Sequence, residues 1–299
     1  MNDVEIHALT KKQYGSLYRN NPNIDLVHEW GDENKGLIKE LKNQSFDYVI
    51  DLHRNIRTQK IKSSLKQKSF TFPKLNIQKW LYVNFKYNNM PNVHIVDRYF
   101  ESVKTLGVKN DLEGLEFYMD KGSGVSKYKL TKGKDYICFA IGAQFATKKM
   151  PVEKLIEIIS NIDSPVVIIG GKEDVKEGEE IYKSLPENKI YNTCGEYSIE
   201  GSASIVEQSK LLVTHDTGMM HIAAAYKVPI VSIWGNTVPD FGMHPYRPKS
   251  PESYKIHQVS NLSCRPCSKI GYAKCPKKHF KCMMDQNVEE IVSSIKEYS

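Results

Sequence analysis

Short apolar runs alternate with segments of helical periodicity along almost the whole chain. In the first half the strand-length runs are VEIHAL, IDLVHEW, FDYVIDLH and SFTF. The periodicity between and after them predicts helices over residues 12–20, 32–42, 57–65, 77–87 and 94–106. Strands that alternate with helices are typical of parallel sheets built from βαβ units. The pattern therefore predicts an α/β fold.

The second half repeats the alternation more regularly. Its apolar runs are DYICFAIGA, PVVIIGG, KIYN, KLLVTH and PIVSIW, with helices expected from Val152, from Asp174, near Ser198 and from Gly218. This order predicts one doubly wound sheet. A short strand at YKIHQV, a cysteine-rich loop and a helix from Val288 complete the chain.

A linker is predicted between the two halves. Residues 107–133 lose the periodicity and gather Gly, Lys and Asp, a composition typical of connecting segments. We therefore predict an N-terminal domain over residues 1–125 and a C-terminal domain over residues 126–299. With 299 residues, 40% of them hydrophobic, each half is long enough to bury its own core.

Composition narrows the classes of partner. Lys and Arg total 42 against 35 Asp and Glu, and the charge of +7 favours anionic partners. The lysines are scattered, with no Arg-rich arm or zinc-finger spacing, so we expect no nucleic acid partner. No apolar run approaches the ~20 residues of a membrane-spanning helix. The start, MNDVEIHALTKK, lacks a secretory signal, which predicts a cytoplasmic protein whose cysteines are thiols or metal ligands.

A small polar motif, HDTG, stands between the predicted strand LLVTH and the helix that follows it. The first amides of a helix have no partner inside it and attract phosphate. Gly218 allows close approach of a ligand, Thr217 adds a hydroxyl, and Asp216 can accept from a sugar hydroxyl. Alternatively, Asp216 or Thr217 is a plain N-cap. His221, one turn further on, fits either a ligand contact or the core.

A second motif, FAIGAQFATKKMP, follows the first strand of the same half and contains Gly142 and Thr147. The carboxyl ends of parallel strands share one edge of a sheet, so Lys148 or Lys149 is expected near the HDTG motif. A cation there would neutralise charge on a departing diphosphate. The alternative is an ordinary solvated lysine.

Four blocks of the sequence together resemble a known family. They are VIDLHRNIRT, HIVDRYFESVKTLGV, GAQFATKKMP and HDTGMMHIAAAYKVPIVSIWGNTVPDFGMHPY. Over nearly its whole length the chain resembles glycosyltransferase family 9, the ADP-heptose:lipopolysaccharide heptosyltransferases. The resemblance implies a GT-B architecture, in which two Rossmann-like domains face each other across a cleft. The donor is then expected on the C-terminal domain and the acceptor on the N-terminal one.

The resemblance also implies the reaction. It predicts an inverting glycosyltransferase that moves heptose, or a related sugar, from a nucleotide-diphosphate donor such as ADP-heptose to a lipopolysaccharide core acceptor, an anionic glycolipid. Neither a cofactor nor a catalytic metal is implied. Two alternatives stay open: a non-catalytic nucleotide-sugar-binding protein, and a nucleotide-sugar epimerase of the same architecture. The epimerase would need acidic residues and histidines converging on one sugar.

Site residues are carried over only where the motifs match. The resemblance places Thr217 and Gly218 on the donor diphosphate, and it gives catalytic roles to Asp216, on the sugar, and to Lys148, on the leaving phosphate. Further donor contacts are predicted at Gly142, Thr147 and His221. Arg54 and Arg57 are predicted to bind acidic groups of the acceptor, since a guanidinium pairs two oxygens at once.

The chain departs from the family pattern at its start. Members normally open with a further strand and a Gly-x-Gly-Asp-like loop, ahead of the strand that corresponds to VEIHALT. We expect the N-terminal domain to lack both, and that loop carries the proposed general base. Asp51 and His53 are conceivable substitutes, although Asp51 also fits a buried structural carboxylate.

Two further segments allow alternative interpretations. KLNIQKWLYVNFKYNN mixes lysines with aromatic residues, which indicates either peripheral contact with the inner membrane or a core-packing helix with a basic outer face. In the cysteine-rich loop, Cys264, Cys267, Cys275 and Cys282 form a C-x2-C-x7-C-x6-C run. They could hold a structural zinc or remain free thiols.

Overall fold

The computed structural model describes residues 4–31, 36–187 and 189–298. The chain divides into two compact units. Unit 1 comprises Met1–Leu75 and Val93–Asp111, and unit 2 comprises Asn76–Asn92 and Leu112–Ser299. No helix in the described ranges is long and apolar enough to cross a membrane.

The described residues of unit 1 form two separate pairs of parallel strands. β1 (His7–Lys11) pairs with β2 (Leu26–Trp30), and β3 (Tyr48–Asp51) pairs with β4 (Lys68–Thr71). The four predicted strands are confirmed. The helices in this half of the chain are α1 (Ser16–Arg19), α2 (Leu37–Asn43), α3 (Ile56–Leu65), α4 (Asn76–Phe85) and α5 (Ile95–Val103). Of these, α4 belongs to unit 2.

Two predicted helices differ in the structure. Over residues 12–20 the chain forms a 3-10 turn (Lys12–Tyr14) and the single turn α1. Residues 32–35 of the predicted 32–42 helix lie outside the described residues, and α2 begins at Leu37. The buried core around α2 and α3 is small, consisting of Leu37, Leu41 and Ile61.

Unit 2 is built on one six-stranded parallel sheet. Its strands are β5 (Ile137–Ala140), β6 (Val166–Ile169), β7 (Ile190–Asn192), β8 (Leu211–His215), β9 (Ile230–Trp234) and β10 (Tyr254–Gln258). Their spatial order is β7-β6-β5-β8-β9-β10. The chain thus runs outward from β5 to β7, crosses back to β8 and runs outward again. The predicted doubly wound sheet is confirmed.

Helices cover both faces of this sheet. They are α6 (Lys127–Thr131), α7 (Val152–Ser160), α8 (Val175–Lys183), α9 (Ile199–Glu207), α10 (Gly218–Ala225), α11 (Lys281–Met284) and α12 (Val288–Lys296). Alternate strand residues supply two separate cores: Ile137 and Phe139 pack with α7, α8 and α12, whereas Cys138 and Ala140 pack with α9 and α10. Burial on both faces explains why these strands are continuous Val/Ile/Leu runs.

One short helix lies where the sequence predicted a linker. α6 falls inside residues 107–133, and the Ser126 side chain caps it by accepting from the Lys129 amide. Five residues carry too little periodicity to be recognised in the sequence.

Candidate functional site

The candidate site lies where the strand order of unit 2 reverses. β5 and β8 are neighbours, with Ala140 opposite Thr214, so the loops that follow them leave the same edge of the sheet side by side. Open α/β sheets bind ligands at this position, outside the carboxyl ends of the strands. The two polar motifs of the sequence are thus brought together, as expected.

The start of α10 offers backbone amides to a ligand. Thr217 is the N-cap residue, with an extended backbone, and its side chain makes no capping hydrogen bond. Its hydroxyl lies 3.2 Å from that of Thr214 instead. A Cβ atom added at Gly218 would meet no atom within 4 Å. Thr217 therefore occupies the N-cap position without capping the helix through its side chain, and the space in front of Gly218 is open.

Lys148 reaches across from the β5 loop to this helix start. Its Nζ donates to Asp216 Oδ2 at 2.6 Å and to the Asp216 carbonyl oxygen at 3.1 Å. The Thr237 hydroxyl donates to the same Oδ2 at 2.9 Å. The Asp216 carboxylate is therefore held from two sides, and a cation stands beside the open amides.

The neighbouring residue, Lys149, forms ion pairs with residues outside the HDTG motif. Lys149 Nζ pairs with Asp174 at 2.6 Å and with Glu177 at 2.9 Å. Burial opposes its charge, but the hydrogen bonds that Lys149 donates to these two carboxylates, together with their negative charge, outweigh burial and raise the pKa of Lys149. Of the two lysines considered from the sequence, Lys148 is the one beside the HDTG motif.

Two histidines at this edge are kept neutral by burial. His215 Nε2 accepts from the Met150 amide at 3.0 Å, and burial lowers the pKa of His215 to about 4. His221 is half-buried, and burial lowers its pKa as well, while Asp216 acts in the opposite direction and Lys148 in the same one. His221 thus lies within the electrostatic reach of the site rather than in the core.

Gly142 and Thr147 have evident packing roles. A Cβ at Gly142 would lie 2.2 Å from the Asp174 carboxylate, so no larger residue fits there without a shift. Thr147 is buried, and its hydroxyl both donates to the Tyr272 carbonyl and accepts from the Tyr272 amide. These contacts join the β5 loop to the cysteine-rich loop. Donor contact by either residue stays a prediction.

The four clustered cysteines are free thiols in the structure. Burial raises the pKa of Cys267 to about 11 and that of Cys282 to about 12, so both are protonated at neutral pH. Among residues 4–31, 36–187 and 189–298, no group of three or more His, Cys, Asp or Glu side chains could hold a metal ion. The zinc interpretation gains no support from this arrangement.

Unit 1 carries the predicted acceptor residues in the turn after β3. Asp51 Oδ1 accepts from the amides of His53 and Arg54, and the other oxygen lies 3.1 Å from Lys62 Nζ. Burial opposes ionisation of Asp51, but the two amides and Lys62 hold its pKa below the usual range. Asp51 is thus a structural carboxylate that shapes the turn.

The same turn and the start of α3 present cations to solvent. Arg54 and Arg57 are exposed, and Arg54 has a left-handed backbone (φ 47°). Lys74 Nζ donates to the carbonyl oxygens of His53 and Arg54, at 3.0 and 3.3 Å. Burial lowers the pKa of His53, and Lys74 and Arg57 lower it further. The turn is therefore a rigid, positively charged feature suited to acidic groups.

Comparison with known proteins identifies the family. The model of glycosyltransferase family 9 (heptosyltransferase) matches residues 35–277. The chain belongs to this family. Lipooligosaccharide heptosyltransferase 2 of Campylobacter jejuni serotype O:6 is 30% identical over 176 residues, 57% of this chain and 53% of that protein. The match thus spans about half the length of this curated relative.

Solved structures share the fold of this family member. The glycosyl transferase family 9 structure from Veillonella parvula has a TM-score of 0.77 at 19% identity, covering 98% of this chain and 88% of that one. E. coli heptosyltransferase WaaC with ADP has a TM-score of 0.68 at 15% identity, covering 100% and 92%. The predicted GT-B fold class is confirmed by these likenesses.

Some residues of the site were missed in the sequence. Thr237 follows the carboxyl end of β9 in the run WGNT, and that position beside β8 was the available signal. Asp174 and Tyr272, by contrast, meet Lys149 and Thr147 only through long-range packing. No local pattern indicates such partners.

Proposed function

We propose that this chain is an inverting glycosyltransferase that moves heptose, or a related sugar, from a nucleotide-diphosphate donor to a lipopolysaccharide core acceptor. Family membership and the named Campylobacter relative support this assignment. ADP-heptose is the proposed donor, because E. coli WaaC has been solved with ADP and with ADP-2-deoxy-2-fluoro heptose.

The observation that carries the proposal is the pairing of an open helix start with Lys148 at the reversal of the sheet. We assign the donor diphosphate to the amides of Thr217 and Gly218, where the helix dipole favours an anion. Asp216 then accepts from a sugar hydroxyl. Thr237 keeps its carboxylate oriented while Lys148 turns toward the phosphates.

The reaction needs little more than position and charge. An acceptor hydroxyl oxygen attacks the anomeric carbon from the face opposite the diphosphate, and the carbon–oxygen bond to phosphate breaks with its electron pair. The configuration inverts, and the hydroxyl proton passes to a base. Lys148 and the helix start stabilise the negative charge that grows on the leaving diphosphate. Asp51, which is held by the turn in unit 1, is not assigned as the base.

We assign the acceptor to the cationic turn of unit 1. Arg54 is an exposed guanidinium group on a backbone held by Asp51 and Lys74, and Arg57 is an exposed guanidinium group in the first turn of α3. A planar guanidinium suits phosphate or carboxylate groups of an anionic glycolipid. With such an acceptor, we propose that the protein works in the cytoplasm, peripherally on the inner membrane.

The direct test is transfer by the purified chain. ADP-heptose and a heptose-deficient lipopolysaccharide acceptor are incubated with it, and ADP release and acceptor mass are measured. We expect one heptose added per ADP released, and Lys183→Ala, an exposed lysine on α8, serves as a control variant that keeps activity. ADP binding without transfer would indicate a binding protein, and an altered donor in the absence of acceptor would indicate an epimerase.

A further inference from the structure

Helix α4 presents an apolar side to solvent. None of its residues is buried, and Ile77, Trp80 and Phe85 are 73%, 50% and 65% exposed. Trp80 and Phe85 contact each other edge to face, with ring centroids 5.3 Å apart. A surface helix normally turns such residues toward a core. The apolar side of α4 is therefore exposed to solvent, although its side chains are of the kind that normally pack against other residues.

Lys79 of this helix and Lys86, which directly follows it, contact other segments of unit 2. Lys79 lies over the Phe241 ring, which Tyr82 also contacts edge to face, and Lys86 Nζ donates to the Pro266 carbonyl at 2.8 Å. The helix is thus attached to the rest of unit 2 on the side of Lys79 and through Lys86 just after its end. A core-packing helix with a basic outer face, one of the two sequence interpretations, is wrong, because the two sides are reversed.

The segment that α4 contacts is strongly cationic. From Leu262 to Met284 the chain contains no Asp or Glu. Exposed lysines stand throughout this segment, at Lys269, Lys274, Lys277, Lys278 and Lys281. Ile270 and Tyr272 add apolar groups that are 61% and 42% exposed. Aromatic groups on the helix and cations on the loop therefore belong to one part of unit 2, joined by the contact between Lys86 and Pro266.

We propose that α4 and the segment Leu262–Met284 form a docking surface for an anionic lipid bilayer. Aromatic side chains at the level of the head groups, with lysines beside them, are the combination that binds such an interface. A second copy of the chain is a poor occupant, since two segments rich in lysine and free of acids would repel each other. The proposal rests on the proposed function only in that a lipid-linked acceptor requires work at a membrane.

Vesicle binding tests the surface without donor or acceptor, so that its failure leaves the transfer reaction untouched. The full chain is sedimented with vesicles of phosphatidylcholine alone or of phosphatidylcholine with phosphatidylglycerol, at low and at high salt. We expect binding to the anionic vesicles at low salt and its loss at high salt, because exposed charges are screened. Equal binding to both kinds of vesicle, or to neither, would overturn the proposal.

Charge variants locate the surface. Replacing Lys274, Lys277 and Lys278 together by Gln should weaken binding to anionic vesicles about 100-fold, since each lysine near such a surface contributes on the order of a factor of 5. A matched triple replacement of Lys129, Lys132 and Lys134 removes the same charge before the amino end of β5. An equal loss in both variants would mean that net charge, and not this surface, governs binding.

Trp80 reports on insertion. The chain has three tryptophans; Trp234 is buried and Trp30 half-buried, so Trp80 dominates any change at the surface. We expect a blue shift of the emission and quenching by brominated lipids on anionic vesicles. Trp80→Phe should abolish the signal and keep binding, whereas Trp80→Ser should weaken binding severalfold. Dimerisation of the chain in solution, with no spectral change on vesicles, would identify a second copy as the occupant instead.

Discussion

Replacing Lys148 by Ala should affect turnover far more than donor affinity. The Lys148 ammonium lies 2.6 Å from Asp216 Oδ2 and beside the amides of α10, where we place the diphosphate. In the ground state the lysine charge is shared between Asp216 and the phosphates. As the bond to the sugar breaks, about one further negative charge develops on the leaving group. The lysine is therefore most valuable in the transition state.

The expected magnitude follows from the position of the charge. A unit charge about 4 Å from the developing one, at an effective dielectric constant of about 20, contributes about 4 kcal/mol. Its loss corresponds to roughly a 10³-fold lower kcat. Donor affinity should fall much less, because the ground-state diphosphate lacks this extra charge and shares the Lys148 ammonium with Asp216.

Single-turnover kinetics measures the effect on turnover, and calorimetric titration with the donor analogue ADP-2-deoxy-2-fluoro heptose measures the effect on donor affinity. Thermal unfolding of the variant is the necessary control, since Asp216 and Lys148 side chains are only 9% and 16% exposed and their separation carries a cost in stability. Equal losses in kcat and in affinity for the donor analogue would refute the reasoning and make Lys148 a simple binding contact.

Three further outcomes are expected. Gly218→Val should weaken ADP binding roughly 10²–10⁴-fold, measured by calorimetry, because two charge-assisted hydrogen bonds of about 1.5–3 kcal/mol each are blocked. His215→Gln should flatten the pH dependence of urea unfolding. Burial holds the pKa of His215 at about 4 in the folded chain, so the unfolded state binds the proton first as the pH falls. In the parent chain the free energy of unfolding should therefore decrease between about pH 6.5 and 4, by roughly 2–3 kcal/mol from pH 7 to pH 4.5. Joint replacement of Arg54 and Arg57 by Gln should raise KM for the acceptor at least tenfold and leave ADP affinity unchanged, as steady-state kinetics will show.

A specific result would contradict each of these three predictions. Unchanged ADP affinity in Gly218→Val, with an intact circular dichroism spectrum, would remove the diphosphate from the start of α10. A pH dependence identical to that of the parent chain would show that His215 is not held neutral by the fold. For the arginines, an equal effect of Lys42→Gln, an exposed cation on α2, would indicate a general loss of charge rather than acceptor binding.

The fold of unit 2 could be predicted because its strands carry a local signal. Buried parallel strands are continuous apolar runs, and β5 to β9 stand out between helices that begin at recognisable caps such as Ser198. That β1 pairs with β2 and β3 with β4 in two separate ladders could not be predicted from the local sequence. Which strands share hydrogen bonds depends on the whole chain.

The candidate site also has a part that could be predicted from the sequence and a part that could not. Thr217, Gly218 and Lys148 stand in motifs at the ends of β8 and β5, and the rule for parallel sheets brings them together. The preference for Lys148 over Lys149 depends on Asp174, which is distant in sequence and buried under Gly142. The orientation of α4 likewise depends on Phe241 and Pro266. Such partners become visible only when the chain is folded.

The two strand pairs of unit 1 determine which part of the protein unfolds locally with the least free energy. A ladder of two strands is marginal by itself, whereas the six-stranded sheet of unit 2 is packed on both faces. Amide hydrogens of β1 to β4 should therefore exchange with solvent much faster than those of β5 and β8. ADP bound to unit 2 would further slow the exchange of the β5 and β8 amides and leave that of β1 to β4 unchanged. Because the two units would then unfold at different temperatures, a single melting temperature would describe neither of them.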